Sequence, residues 1–250
     1  MLTLLSPSKT QDFTISDSAL MHPPLFPQEI KQLGKKLQSL SVAEIAKLMK
    51  ISEKLAELNF KRFQELGSKQ ASKKAAILAY QGDVYQGLAA ESLSLDDLHF
   101  ADEHLLILSG LYGALRPLDA IQAYRLEMGI KLATSQHSDL YSFWHDQLNA
   151  YINQRLQQEE FLINLASEEY AKVIDYKHLK GKVINIVFKD LHKGQYKIIG
   201  LFAKKARGLM AQFIIKNRIT NPSELRRFCL SGYQFIDTLS SDEQFIFHRG

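Results

Sequence analysis

Apolar and polar positions recur with two different periods, and the change of period divides the chain into elements. Residues 2–5 form a short apolar run that ends at a Ser-Pro-Ser turn, which predicts a strand. Between residues 27 and 66 the apolar positions lie three and four residues apart, which predicts two or three helices. Ser41, with Glu44 three residues later, is a typical helix N-cap. The first quarter of the chain is therefore mainly helical.

Strand-forming runs dominate after residue 160. They lie at residues 161–165, 183–188 and 196–202, and the Lys193-Gly194 pair between the last two predicts an antiparallel hairpin. Further predictions are a turn or shallow loop at 82–87, helices at 118–126 and 203–218, and a terminal strand at 244–247, and residues 105–108 form a continuous apolar run. A short helix opens at Asn221-Pro222.

This element order predicts a mixed α/β (α+β) fold, with one mixed β-sheet flanked by helices. No internal repeat, low-complexity segment or Pro/Gly/Ser-rich linker divides the chain, so we expect a single domain over residues 1–250.

With 46% hydrophobic and 23% charged residues, the composition excludes a disordered or fibrous chain. A single cysteine, Cys229, excludes an internal disulfide framework. We expect a cytoplasmic protein without a signal peptide, a membrane span or a membrane partner.

Charge is distributed unevenly along the chain. Residues 172–227 contain 14 basic and 3 acidic residues, a balance of +11, whereas the remainder balances at −7. Such asymmetry favours a surface that faces a polyanion, most often nucleic acid. The alternative is an ordinary solvent-exposed surface on which the fold brings these basic residues together without a ligand.

One face of the helix at 203–218 is basic. Lys204, Arg207 and Arg218 share it with two small residues, and Lys205 lies at its flank. Arg207 can grip a phosphate through two hydrogen bonds, with the lysines as point charges. A solvent-facing amphipathic helix without a ligand explains the pattern equally well.

A two-glycine turn is the second candidate. Gly110 and Gly113 follow the apolar run at 105–108 and precede Arg116, which we expect at the start of a helix. Main-chain amides in such a turn can bind phosphate, as they do in helix-hairpin-helix DNA readers. A tight turn that requires positive φ explains both glycines without a ligand.

Polar residues past two strand ends are the third candidate, because such residues often line a cleft. Lys9 follows the first strand and is a possible anion ligand or Schiff-base nucleophile. The other members are Ser6 and Thr10 after the first strand, and Asn164, Ser167, Glu168 and Tyr170 after the strand at 161–165. Taken singly, each is explained by a cap or a turn.

No metal-ligand spacing and no phosphate-loop, dinucleotide, kinase or hydrolase motif is present, so we expect no metal and no cofactor.

Six long motifs in the same order resemble the YaaA family of bacterial peroxide-stress proteins. They are residues 4–10 (LLSPSKT), 82–88 (GDVYQGL), 108–119 (LSGLYGALRPLD), 124–129 (YRLEMG), 164–170 (NLASEEY) and 202–210 (FAKKARGLM). Ser8 stands where alanine is as common. The resemblance implies a cytoplasmic protein that limits free iron and oxidative DNA damage. It also implies DNA binding, a single-domain α/β fold with a positively charged cleft, and a helix-hairpin-helix-like element, but no reaction.

Three hypotheses follow. The favoured one is a non-enzymatic protein, monomeric by default, that binds duplex or distorted (bubble) DNA by shape more than sequence. The second is an enzyme acting on a nucleobase or nucleic acid, with Lys9 or Lys204 as nucleophile or phosphate clamp and Glu168 as acid or base. The third is an iron-binding or regulatory protein that acts through protein partners.

Overall fold

The computed structural model describes residues 1–14, 21–156 and 160–250. Its main sheet contains β1 (Leu2–Leu5), β3 (Leu105–Ser109), β4 (Gly113–Leu115), β6 (Phe161–Asn164), β7 (Lys182–His192), β8 (Gln195–Lys197), β9 (Gln234–Phe235) and β10 (Gln244–Arg249). The strand order is β4-β3-β1-β6-β7-β10-β9, with β8 paired to β7. Strands β3, β1, β6, β7 and β10 are parallel, and β4, β8 and β9 pair antiparallel to their neighbours. A second sheet pairs β2 (Lys74–Ala75) with β5 (Ala120–Ile121).

Helices flank the sheet. They are α1 (Pro27–Gln38), α2 (Val42–Met49), α3 (Glu53–Glu65), α4 (Ala76–Ala79), α5 (Asp83–Leu88), α6 (Leu95–His104), α7 (Leu140–Arg155), α8 (Glu168–Ala171) and α9 (Gly200–Lys216). The predicted mixed α/β class is confirmed. Within the ranges that the structure describes, no helix is long and apolar enough to cross a bilayer.

The centre of the sheet is covered on both faces. Every residue of β1 and β3 is buried, which is why these strands are continuous apolar runs in the sequence. In β7 burial alternates, with Ile184, Ile186 and Phe188 turned into the core. The main hydrophobic core thus lies against β1, β3 and β6.

Several predicted elements are confirmed. Helices α1–α3 fill residues 27–66, and Ser41 caps α2 through a reciprocal pair in which the Glu44 carboxylate accepts from the Ser41 amide at 2.8 Å. Helix α9, strand β10 and the β7–β8 hairpin across Lys193-Gly194 are also present. Both turn residues have positive φ.

Three local predictions are wrong. Residues 82–87 are not a loop, because Asp83–Leu88 forms α5. Residues 118–126 are not helical, because Asp119 accepts hydrogen bonds from the backbone and guanidinium of Arg116, and Ala120 donates to the His22 carbonyl oxygen. The strand predicted at 196–202 ends at Lys197, since α9 begins at Gly200.

Two glycines, Gly87 on α5 and Gly208 on α9, lie where the two helices cross in contact with each other. A Cβ on Gly208 would overlap the Val84 carbonyl oxygen and lie 2.8 Å from the Leu88 amide nitrogen. A Cβ on Gly87 would overlap the Lys205 carbonyl oxygen. The absence of two side chains therefore lets the two helices meet backbone to backbone.

The strand order reverses direction around β1. The chain leaves β1 and pairs β3 on one side, and after β4 it returns to place β6 on the other side. In open α/β sheets, ligands bind outside the carboxyl ends of the strands at such a switch point. The carboxyl ends of β1 and β6 are therefore the first place to look for a site.

Candidate functional site

A cleft of about 360 Å³ opens at the carboxyl ends of β1 and β6. Four segments line it: residues 6–10 after β1, residues 81–84 at the start of α5, four residues after β6 (Leu165, Ser167, Glu169 and Tyr170), and Lys204 and Arg207 on α9. The α5–α9 crossing thus brings the basic helix to the end of the sheet. This volume lies at the lower end of the range for small-molecule sites.

Hydrogen bonds between the two strand ends fix the floor of the cleft. The Ser167 amide donates to Ser6 Oγ at 2.8 Å, and the two hydroxyl oxygens are 3.3 Å apart. Tyr85 donates from its hydroxyl to the Ser6 carbonyl oxygen at 3.0 Å. Asn164 is expected from the sequence to line the cleft but lies outside its lining, where its Oδ1 accepts from the Ala166 amide and its Nδ2 donates to Asn185. The serines shape the cleft, and Asn164 holds the loop after β6.

The charged lining is mixed. Lys9, Lys204 and Arg207 contribute three cations, and Asp83 and Glu169 contribute two carboxylates. Glu169 accepts a hydrogen bond from the Gly129 amide at 3.1 Å.

Arg207 is a cation of the cleft that lacks a partner among the described residues. Within the described ranges, no acidic side chain, hydrogen-bond acceptor or aromatic ring pairs with its guanidinium, which is half-buried. Burial lowers the pKa of Arg207. A cation withdrawn from water without a counter-charge is a ready anion ligand.

A small recess adjoins the cleft and shares Pro7, Ser8, Lys9 and Tyr170 with it. Its volume is about 10 Å³, and it is also lined by Gln11 and residues 124–127. Glu127 Oε1 lies 3.0 Å from Lys9 Nζ and accepts a hydrogen bond from Arg125 at 3.1 Å. Glu127 Oε2 and Arg125 Nε are buried and have no hydrogen-bond partner among the residues that the structure describes.

A chain of hydroxyl groups backs this recess. Tyr124 lies 2.6 Å from both the Tyr80 hydroxyl and Ser109 Oγ. Burial raises the pKa of Tyr124 to about 12, so its hydroxyl is neutral at physiological pH. Burial likewise raises the pKa of Tyr170. These phenols therefore serve as neutral hydrogen-bonding groups.

The structure gathers some of the candidate residues and separates others. Ser6, Thr10, Ser167, Tyr170, Lys9, Lys204 and Arg207 line the cleft. Lys205 is exposed on α9 outside it, and Glu168 is exposed in the first turn of α8, also outside it. Arg218 follows the end of α9, pairs with Asp97 and stacks on Phe100.

The two-glycine turn also lies away from the cleft. It joins β3 to β4, so the helix expected at Arg116 is wrong and the turn is not the hairpin of a helix-hairpin-helix. Gly110 is buried against residues 126 and 127, and Gly113 against Trp144. The amides of residues 111 and 112 donate to Ser109 Oγ. Arg116 is bound to Asp119 and to the Pro23 carbonyl oxygen.

Sequence reasoning missed Glu127, Arg125 and Asp83. The first two belong to the YRLEMG motif, which contributed to the family resemblance without a role for its residues. Glu127 follows no strand of the main sheet, so the search past strand ends did not reach it. A helical hairpin was missed as well: α2 and α3 pack together across residues 50–52, with Lys50 at φ 52°.

The fold and the cleft define a mixed α/β protein with a charged cleft at the switch point of its sheet. Comparisons with known proteins identify the family. A family model described as peroxide stress protein YaaA matches residues 1–239. A UPF0246 protein of Ralstonia pickettii (strain 12J) is 46% identical over 254 aligned positions, covering 100% of this chain and 99% of the relative. A UPF0246 protein of Acaryochloris marina is 45% identical over 251 positions, covering both chains fully. The chain belongs to the YaaA family of peroxide stress proteins, and this membership supports a role in peroxide stress.

Proposed function

We propose that the protein binds DNA through the cleft and thereby protects DNA from oxidative damage during peroxide stress. The observation that carries the proposal is the unpartnered, half-buried guanidinium of Arg207 beside exposed Lys204. A phosphate of the DNA backbone offsets the cost of this isolated charge through charge-assisted, bidentate hydrogen bonds. The family resemblance also implies an association with lower free iron, and we include this association in the proposal.

The helical hairpin offers a second phosphate contact. Ser52 precedes α3 without capping it by a side-chain hydrogen bond, so amides of the first turn of α3 are open to an anion. Lys47, Lys50 and Lys54 flank the start of α3 in the chain and are exposed, and Glu53 is the acidic residue of its first turn. Such contacts position a nucleic acid without reading its bases. This hairpin suits the helix-hairpin-helix-like element that the resemblance implies.

The test is fluorescence anisotropy with labelled duplex, bubble-containing and single-stranded DNA over a salt series. We expect binding at low salt, with log K falling against log[salt] at a slope of about −0.9 per neutralised duplex phosphate. A preference for the bubble would identify distorted DNA as the ligand. Absence of binding to all three forms at low salt would refute the proposal.

A second candidate function is an enzyme acting on a nucleobase or nucleic acid. The observation that favours it is the Lys9–Glu127 pair, with Nζ and Oε1 3.0 Å apart at the switch point of the sheet. Lys9 is the candidate nucleophile, and Glu127 is placed to accept its proton. Glu127 takes the acid–base role assigned to Glu168 from the sequence, since Glu168 lies outside the cleft.

Borohydride trapping tests this candidate on DNA that carries an abasic site. The Lys9 amine would condense with the aldehyde carbon, release water and form an imine, to which borohydride adds hydride. We expect a covalent adduct with the native protein, no adduct with Lys9→Ala, and an unchanged adduct with Lys205→Ala. Lack of an adduct with abasic, uracil-containing and oxidised DNA would remove support for the enzyme.

A further inference from the structure

We infer that the cleft and its recess together bind one nucleotide unit whose base carries an exocyclic amino group, with the amino group on Glu127 and the phosphate on Arg207. The inference rests on the proposed function and names the chemical group bound at the same site. The unit has two possible sources, an unpaired nucleotide of DNA or a free mononucleotide.

The unsatisfied oxygen of Glu127 identifies the group that it binds. Glu127 is 8% exposed, and its Oε2 is buried without a hydrogen-bond partner in the described part of the chain. A carboxylate oxygen accepts hydrogen bonds and donates none, so it selects an N–H or O–H donor. A buried acceptor without a partner carries the full cost of desolvation, which a ligand donor removes.

The size of the recess limits the group to a single heavy atom. A volume of about 10 Å³ holds one water-sized group, so an amino group fits and a base ring does not. The ring must then remain in the outer cleft, whose 360 Å³ suits a small ligand.

The two compartments meet at Lys9. Glu127 lines the recess and not the outer cleft, whereas Arg207 and Lys204 line the outer cleft and not the recess. Lys9 lines both. A ligand that reaches both ends therefore carries an anion at one end and a small donor at the other, as an amino-bearing nucleotide does.

Cytidine and uridine 5′-monophosphates (CMP and UMP) form a matched pair of probes. They share the pyrimidine skeleton, the ribose and the phosphate, but CMP has an amino group at C4 and a bare N3, where UMP has a carbonyl at C4 and an N–H at N3. We expect the native protein to bind CMP about tenfold or more tightly than UMP in isothermal titration calorimetry, as for one charged hydrogen bond.

Glu127→Gln should reverse this preference. Lys9 and Arg125 both approach Oε1, so they will hold the amide oxygen of glutamine and leave its NH₂ group in the place of Oε2. The recess then offers a donor, which suits the carbonyl of UMP and opposes the amino group of CMP. Glu168→Gln removes the same charge from an exposed position outside the cleft and the recess, and should retain the preference for CMP.

The same comparison in DNA separates the two sources. Bubble DNA with an unpaired cytosine is compared with the same bubble carrying uracil. A preference for cytosine in the bubble, in the free nucleotide or in both supports the inference and identifies the source. If the cytosine and uracil probes bind equally, both as free nucleotides and in the bubble, while DNA binding is intact, the inference is overturned and the proposed function stands. The recess would then hold a water molecule. Loss of all DNA and nucleotide binding overturns both.

Discussion

Replacing Lys204 and Arg207 together with alanine is expected to lower DNA affinity by about a hundredfold, which corresponds to about 3 kcal/mol at low salt. Both side chains line the cleft, and Arg207 has no partner within the described ranges that would compete with a phosphate. The salt slope should fall by about 1.8 on duplex DNA as two phosphate contacts are lost. Anisotropy over a salt series measures both quantities.

The matched control is Lys205→Ala with Lys216→Ala. These two lysines lie on the same helix, are exposed and are outside the cleft, and the double variant removes the same net charge. We expect affinity to fall by less than about threefold, because distant exposed charges are screened. Equal losses in the two double variants would show that the general charge of α9, and not the cleft, attracts DNA.

Gly208→Ala is expected to destabilise the protein by about 3 kcal/mol or more, because an added methyl group cannot be accommodated at the α5–α9 crossing. The new Cβ would overlap the backbone oxygen of Val84, and backbone atoms cannot move aside as a flexible side chain can. The two helices must separate, which would move Asp83 on α5 away from Arg207 on α9. Urea denaturation followed by circular dichroism measures the loss of stability.

Gly200→Ala is the control for this change. Gly200 is the first residue of the same helix, and a Cβ there meets nothing within 4 Å. We expect a change of less than about 1 kcal/mol, in the stabilising direction, because alanine favours helix over glycine. If Gly208→Ala has normal stability, α5 and α9 must lie farther apart at their crossing than backbone contact requires.

Local features of the fold are readable from the sequence, because local interactions determine them. The Ser41–Glu44 cap, the helix periodicity before residue 66 and the apolar run of β1 each act over a few residues. The α5 helix was missed because Gly87 indicates a loop by its conformational freedom, whereas here it serves contact with α9. A single sequence does not distinguish these two uses of glycine.

Only part of the candidate site can be predicted from the sequence, because ion pairs formed in the tertiary fold decide which charged side chains can still bind a ligand. Arg207 and Arg218 are alike on the helical face predicted from the sequence. Arg218 is bound by Asp97, 121 positions away, and Arg207 has no partner within the described ranges. In the same way, the Lys9–Glu127 pair joins segments that no spacing rule connects. Such pairings depend on the tertiary fold.

The central position of β1 also has a consequence for how the chain is made. Leu4 pairs with Leu106 on one side and with Asn164 on the other, so β1 leaves the ribosome well before either of its neighbours. Until the ribosome has passed residue 164, a strand that is fully buried in the folded protein lacks one of its two partners. Contacts of such sequence separation slow folding and prolong exposure of unpaired strand edges. A chaperone that covers this edge during synthesis would lower the risk of aggregation.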